Sequence, residues 1–244
     1  MDAVPSSGSL RSATRARTHV NFPMKRVTVN EMIDTGEGSA DEIAASLTDM
    51  QSLNRWFGGE ATSLKLLRKV LARTGQTRLR VLETGAGFGE VPINARNVLL
   101  GCGIQLEVTL LDRVEAHLGK GARGVVGDAL ALPFCDGAFD VVSCCLFAHH
   151  LEPGGVLAYA NEALRVADGA VVINDLVRHP VHYALAWAGQ AFYRSRLTRH
   201  DAPASVRRAY TVREMSGMLG ASSAAHVEVT QHYLYRMGAI AWKH

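Results

Sequence analysis

The chain has 244 residues, 48% of them apolar and 20% charged, with a formal net charge of +3. That length accommodates one α/β domain with a full core and modest decoration. So small a charge excess gives no electrostatic case for a nucleic-acid partner, and no apolar run is long enough to span a membrane.

Residues 1 to about 23 are rich in Ser, Arg, Thr and Ala, with Asp2 as the only acid. That composition is shared by transit peptides and disordered arms; a disordered extension is expected, and Met24 is available as a second start. A short helical stripe of Val29, Met32 and Ile33 begins near Thr28. A second helix sets Ile43, Ala44, Leu47, Met50 and Leu53 at three- and four-residue spacing, with Ser39 as its cap and Glu42 as the box partner. Residues 54–59 break it, and a third helix covers 60–73. Together these helices, residues 24–75, are expected to form an N-terminal helical lid ahead of the main domain at 76–244.

Strands and helices then alternate. Residues 79–82, 106–111, 124–126, 139–146 and 170–176 read as strands. Helices are expected at 94–100, with Pro92 in the first turn, and at 153–166. Continuous apolar strands separated by helices indicate a parallel sheet with helices on both faces. A helix at 179–196 carrying Trp187, Phe192 and Tyr193, a polar loop at 197–205 and a helix capped by Thr211 form an insertion at about 178–220. Two alternating runs, 227–234 and 236–242, end the chain as an antiparallel edge pair, which makes the sheet seven-stranded and mostly parallel.

The cysteines Cys102, Cys135, Cys144 and Cys145 include no CxxC pair, and the adjacent two lie in an apolar run as small buried thiols. That usage suits a reducing cytoplasm, and no early apolar run resembles a signal-peptide core.

The most informative stretch is Val81-Leu82-Glu83-Thr84-Gly85-Ala86-Gly87-Phe88-Gly89. Its alternate glycines let the backbone turn sharply and approach a ligand closely, at the strand end where α/β sheets bind ligands. A dinucleotide site uses G-x-G-x-x-G, with the pyrophosphate on the helix N-terminus. Here the spacing is G-x-G-x-G, and Glu83, two residues ahead, would repel a pyrophosphate and favour a cation. S-adenosylmethionine carries both an ammonium and a sulfonium.

With Leu110-Leu111-Asp112, Gly127-Asp128-Ala129-Leu130-Ala131-Leu132-Pro133-Phe134 and Phe139-Asp140-Val141-Val142-Ser143 leading into His149-His150-Leu151, the region from about 79 to 176 resembles the class I S-adenosylmethionine-dependent methyltransferases. The likeness is greatest to the branch related to quinone-biosynthesis and small-molecule methyltransferases. It implies a Rossmann-like fold and assigns roles to residues. Glu83 meets the methionine ammonium, and Gly85, Ala86 and Gly87 lie against the amino-acid moiety. Asp112, with Arg113 beside it, accepts the ribose hydroxyls. Asp128 accepts from the adenine amino group, Ala129 supplies a backbone N–H, Leu130 packs on the ring, and Leu146 lies near the sulfonium.

The expected reaction is methylation of a small-molecule acceptor, most simply a hydroxyl of an aromatic, quinone-like or polyketide-like compound. A hydroxyl acceptor calls for a base of near-neutral pKa, and His149 and His150 are the candidates on the catalytic rim. Alternatives are C-methylation of an activated ring carbon, a non-catalytic cofactor-binding protein, and a nucleotide-dependent oxidoreductase. Substrate contacts are expected from Arg55, Trp56, Arg178, His200, Asp201 and Arg207, and Asp175 also faces the rim. His179 and His182 are one helical turn apart but have no cysteine or acid close in sequence, so no metal is expected. The acceptor's identity and the oligomeric state are not encoded in any motif.

Overall fold

The computed structural model describes residues 24–33 and 35–244; the extension expected at 1–23 lies outside them. Two helices come first, α1 (Ala40–Trp56) and α2 (Gly59–Thr74), followed by β1 (Arg78–Thr84), α3 (Glu90–Leu100), β2 (Gln105–Asp112), β3 (Arg123–Val126) and β4 (Phe139–Cys145). Next are α4 (Pro153–Val166), β5 (Ala167–Leu176), α5 (Pro180–Ala188), α6 (Arg196–Arg208), α7 (Val212–Gly220), β6 (His226–His232) and β7 (Arg236–Trp242). The seven strands lie in the order β3-β2-β1-β4-β5-β7-β6. β1 to β5 pair in parallel, while β7 runs antiparallel to both β5 and β6. The mostly parallel, Rossmann-like sheet is as expected, and the expected strands match the observed ones to within a few residues.

Each face of the sheet has its own core. Val142, Val171, Ile173, Met237 and Ala239 pack with Tyr159 of α4 and with Met215 and Leu219 of α7. The opposite face sets Val81, Val141, Val172, Ile240 and Trp242 against Leu66, Leu67 and Val70 of α2 and Leu99 of α3. Consecutive residues of β7 thus serve opposite cores, as the two-residue period of a strand requires. Tyr159 is fully buried, and its hydroxyl finds Thr84 Oγ1 at 2.7 Å, which meets the need of a buried polar group.

The helix starts are local and legible. Ser39 and Glu42 form the expected capping box on α1, and Thr211 and Glu214 form another on α7. Three expectations fail. Residues 28–33 are not helical; the segment is irregular and is tied down by Asp201, which accepts Met32 N–H at 2.8 Å and Ile33 N–H at 3.2 Å. One short apolar stripe does not offset the cost of a helix nucleus. α2 packs on the sheet, so of the expected lid only this strap and α1 remain apart from it.

The third failure is the division of 179–205. The expected long helix stops at Ala188, and 197–205, expected as a polar loop, lies within α6. Its polar residues are spent on tertiary contacts. Ser195 Oγ caps Leu197 N–H at 3.2 Å and donates to Glu42 O at 2.9 Å, while Asp49 Oδ2 accepts Arg194 N–H and Ser195 N–H. Pro203 inside α6 cannot donate to the Arg199 carbonyl, which accepts from Gln190 Nε2 at 3.1 Å instead. Among the described residues no helix is long and apolar enough to cross a membrane.

Candidate functional site

The glycine loop follows β1 at the carboxyl edge of the sheet. Gly85 and Gly87 have φ of 60° and 50°, conformations that suit glycine. A Cβ on Gly85 would lie 2.5 Å from Phe147 Cδ2, whereas one on Gly87 would meet nothing within 4 Å. Gly87 therefore borders open space. A cavity lies there, walled by Met50, Gln51 and Asn54 of α1, by Glu83 and residues 85–92, and by Cys145 and Leu146.

Glu83 is buried at the edge of this cavity. Burial pushes its pKa up to about 7 even though the Ser143 hydroxyl and the Cys145 amide donate to it, and no cation is among the groups acting on it. Asp112 fixes the loop from the neighbouring strand: Oδ2 accepts Gly87 N–H at 3.0 Å and Oδ1 accepts Val114 N–H at 3.1 Å. A carboxylate has about four acceptor sites, so both oxygens keep capacity for a ligand. Asp128, at the end of β3, accepts Leu130 N–H at 2.9 Å and lies 3.6 Å from Arg113 Nη2. Ala129 is buried and Leu130 is exposed. Leu146 takes a left-handed φ of 57°, with its amide on Asn174 O at 2.9 Å.

A second cluster lies just beyond β4. His149 and His150 close a 3-10 turn, Ala148–His150. Asp175 Oδ1 is 2.6 Å from His149 Nδ1, and Oδ2 accepts the His149 backbone N–H at 3.0 Å. On the ring's other side Nε2 is 3.5 Å from Glu31 Oε1 and has no hydrogen-bond partner. Glu31 Oε2 lies 3.8 Å from His150 Nε2. Burial works to lower the His149 pKa, but Asp175 and Glu31 outweigh it and hold the pKa at about 10. Glu31, His149 and His150 place donor atoms within 4.8 Å of one another. Arg208 Nη1 also lies 4.0 Å from Glu31 Oε1. His179 and His182 both stack on Tyr235, with centroids 4.6 and 5.4 Å away.

The residues expected to touch substrate are dispersed. Arg178 is buried, with its guanidinium on Met24 O, Ala209 O and Glu214 Oε1. Asp201 anchors the strap and accepts from His200 Nδ1 at 2.8 Å, and the Arg207 carbonyl accepts Val27 N–H at 3.1 Å. None of these lines the cavity. Arg55 and Trp56 follow the cavity-lining Asn54 at the end of α1, and Trp56 is 75% exposed. Trp187 and Phe192 are also exposed and do not line the cavity. Sequence reasoning missed Glu31, Asn54 and Arg236. Only Arg236 left a signal, as the one charge in a wholly buried strand.

Residues 82–173 match the family model described as "Methyltransferase domain". Among solved structures the fold is similar to a SAM dependent methyltransferase from Aquifex aeolicus, with a TM-score of 0.57 and 17% identity over 84% of this chain and 100% of that one. It is also similar to the plantazolicin methyltransferase BpumL in complex with SAH, with a TM-score of 0.64 and 13% identity over 84% and 91% of the two chains. The citrinin polyketide synthase CMeT domain gives a TM-score of 0.51 at 14% identity, covering 68% of this chain but only 46% of that one. At these identities the likeness is one of fold. Comparison with curated proteins finds no match.

Proposed function

From the match of residues 82–173 to the methyltransferase-domain model and the likeness of fold to a SAM dependent methyltransferase, we propose that this protein is an S-adenosylmethionine-dependent methyltransferase that methylates a hydroxyl of an aromatic, quinone-like or polyketide-like small molecule. The observation that carries the reading is Glu83, a buried carboxylate beside an open glycine loop with no cation acting on it. The residues fit the cofactor on a second count, because the space a Cβ on Gly87 would enter is empty. Glu83 would hold the ammonium, Asp112 the ribose hydroxyls, and Asp128 with Ala129 the adenine edge. When bound, the cofactor supplies a methyl group made electrophilic by its sulfonium. The chain's own task is chiefly alignment, and positioning alone supplies about 7–11 kcal/mol in well-oriented reactions.

His149 is the proposed base. Asp175 holds Nδ1, which leaves Nε2 to take the acceptor's proton. With Glu31 in place the ring keeps its own proton, so base action follows withdrawal of Glu31 from Nε2 as the acceptor enters. Arg55 and Trp56, next to the cavity wall, are the proposed outer contacts for the acceptor.

The test is an acceptor screen of phenols, hydroquinones and enols with S-adenosylmethionine, read by mass and by mapping the methylated atom. A methyl ether supports the proposal. Methylation confined to carbon overturns the hydroxyl assignment, and cofactor binding without turnover on any acceptor argues for a non-catalytic protein.

A further inference from the structure

Arg236 opens β7, in register with Leu176 of β5, and is 3% exposed. The six residues that follow it in the strand are apolar or glycine, and all are buried. Its Nη2 donates to Asn54 Oδ1 at 2.8 Å, while Nη1 is buried with no hydrogen-bond partner. The Cys145 thiol lies close enough to the guanidinium to act on its pKa. Asn54 and Cys145 both line the cavity above the glycine loop. A buried guanidinium with an unused nitrogen is costly unless an anion meets it, and its planar fork suits a carboxylate.

The complementary group lies on the other side of the same cysteine. The Cys145 amide acts on the Glu83 carboxylate, and the Cys145 thiol acts on Arg236. Glu83 in the cavity wall and Arg236, just behind its lining residues Asn54 and Cys145, therefore flank Cys145, one carboxyl without a cation and one guanidinium with a nitrogen unused. They form no ion pair with each other among the described residues. An α-amino-acid group carries an ammonium and a carboxylate on one carbon and would satisfy both. Resting on the cofactor reading above, we propose that Arg236, oriented by Asn54, binds the α-carboxylate of the cofactor's methionine moiety, opposite Glu83. Burial draws the Arg236 pKa below its ordinary value even though Cys145 and Asp175 act to raise it.

The test is calorimetric titration of the full chain with S-adenosylhomocysteine and with its decarboxylated analogue, which keeps the amine. The wild type should bind S-adenosylhomocysteine at least tenfold more tightly than the analogue. Arg236→Met should lose that preference by weakening S-adenosylhomocysteine alone, and Arg236→Lys should restore part of it. If Arg236→Met proves unfolded by circular dichroism, Asn54→Ala, at a partly exposed position, should narrow the same preference. Equal weakening of both ligands would reduce Arg236 to a structural role and overturn the proposal. Unchanged affinity for both, with turnover lost only on carboxylate-bearing acceptors, would place the anion on the acceptor and overturn it too. Failure of the cofactor reading itself shows separately, as no binding of S-adenosylhomocysteine to the wild type.

Discussion

Asp175 grips His149 at two points, taking its backbone amide at 3.0 Å and its Nδ1 at 2.6 Å. The grip fixes both the turn and the ring, so Nε2 is the only ring atom left for chemistry. Glu31 faces that atom from a segment with no regular structure of its own.

Replacing His149 by Ala is expected to reduce O-methylation by about two orders of magnitude or more, the usual contribution of a positioned base. The affinity for S-adenosylhomocysteine should stay close to wild type, because His149 does not line the cofactor cavity. Steady-state rates and calorimetry on one preparation check both halves.

Glu31→Gln should make His149 more readily deprotonated. Its pKa of about 10 lies above the unfolded value, so this pair stabilises the fold fully below about pH 6.5, and that stability is lost as pH rises towards 10. Removing one of the two carboxylates should lower the pKa by roughly one to three pH units. The base-dependent limb of kcat/KM should move acidward by the same amount. A limb that stays in place would show that the base is another group.

Cofactor binding should release a proton at Glu83. Its pKa of about 7 is raised by burial, so the fold loses stability as pH climbs from about 4.5 to 7 and this carboxyl ionises. An incoming ammonium favours the ionised form. Binding of S-adenosylhomocysteine should therefore weaken by up to about tenfold per pH unit below 7, and titrations in buffers of different ionisation enthalpy should count close to one proton at pH 6. Glu83→Gln should flatten the dependence.

Two glycine substitutions separate folding from binding. Gly87→Ala puts a Cβ into open space at positive φ, which should cost the fold about 1–2 kcal/mol while blocking the cofactor. Gly85→Ala drives a Cβ into the Phe147 ring as well, so thermal unfolding should show the larger loss for Gly85→Ala.

What the sequence revealed divides along physical lines. The α1 capping box was legible because Ser39 and Glu42 act three residues apart, and the glycine loop because its spacing is itself the geometry. α6 was not legible. Its polar residues look like loop composition, and their partners Asp49, Glu42 and Met32 come from other parts of the chain. Glu31 was invisible for the same reason: nothing near it in sequence says that it will face His149. The two alternating runs that end the sheet as the antiparallel pair β7 and β6 were clear, yet the single charge at the start of β7 read only as a strand boundary.

The most direct test of the methyl-donor assignment is calorimetric titration of the purified chain with S-adenosylhomocysteine and, separately, NAD. Saturable one-to-one binding of S-adenosylhomocysteine with no binding of NAD is the predicted result. Binding of NAD without S-adenosylhomocysteine would contradict it.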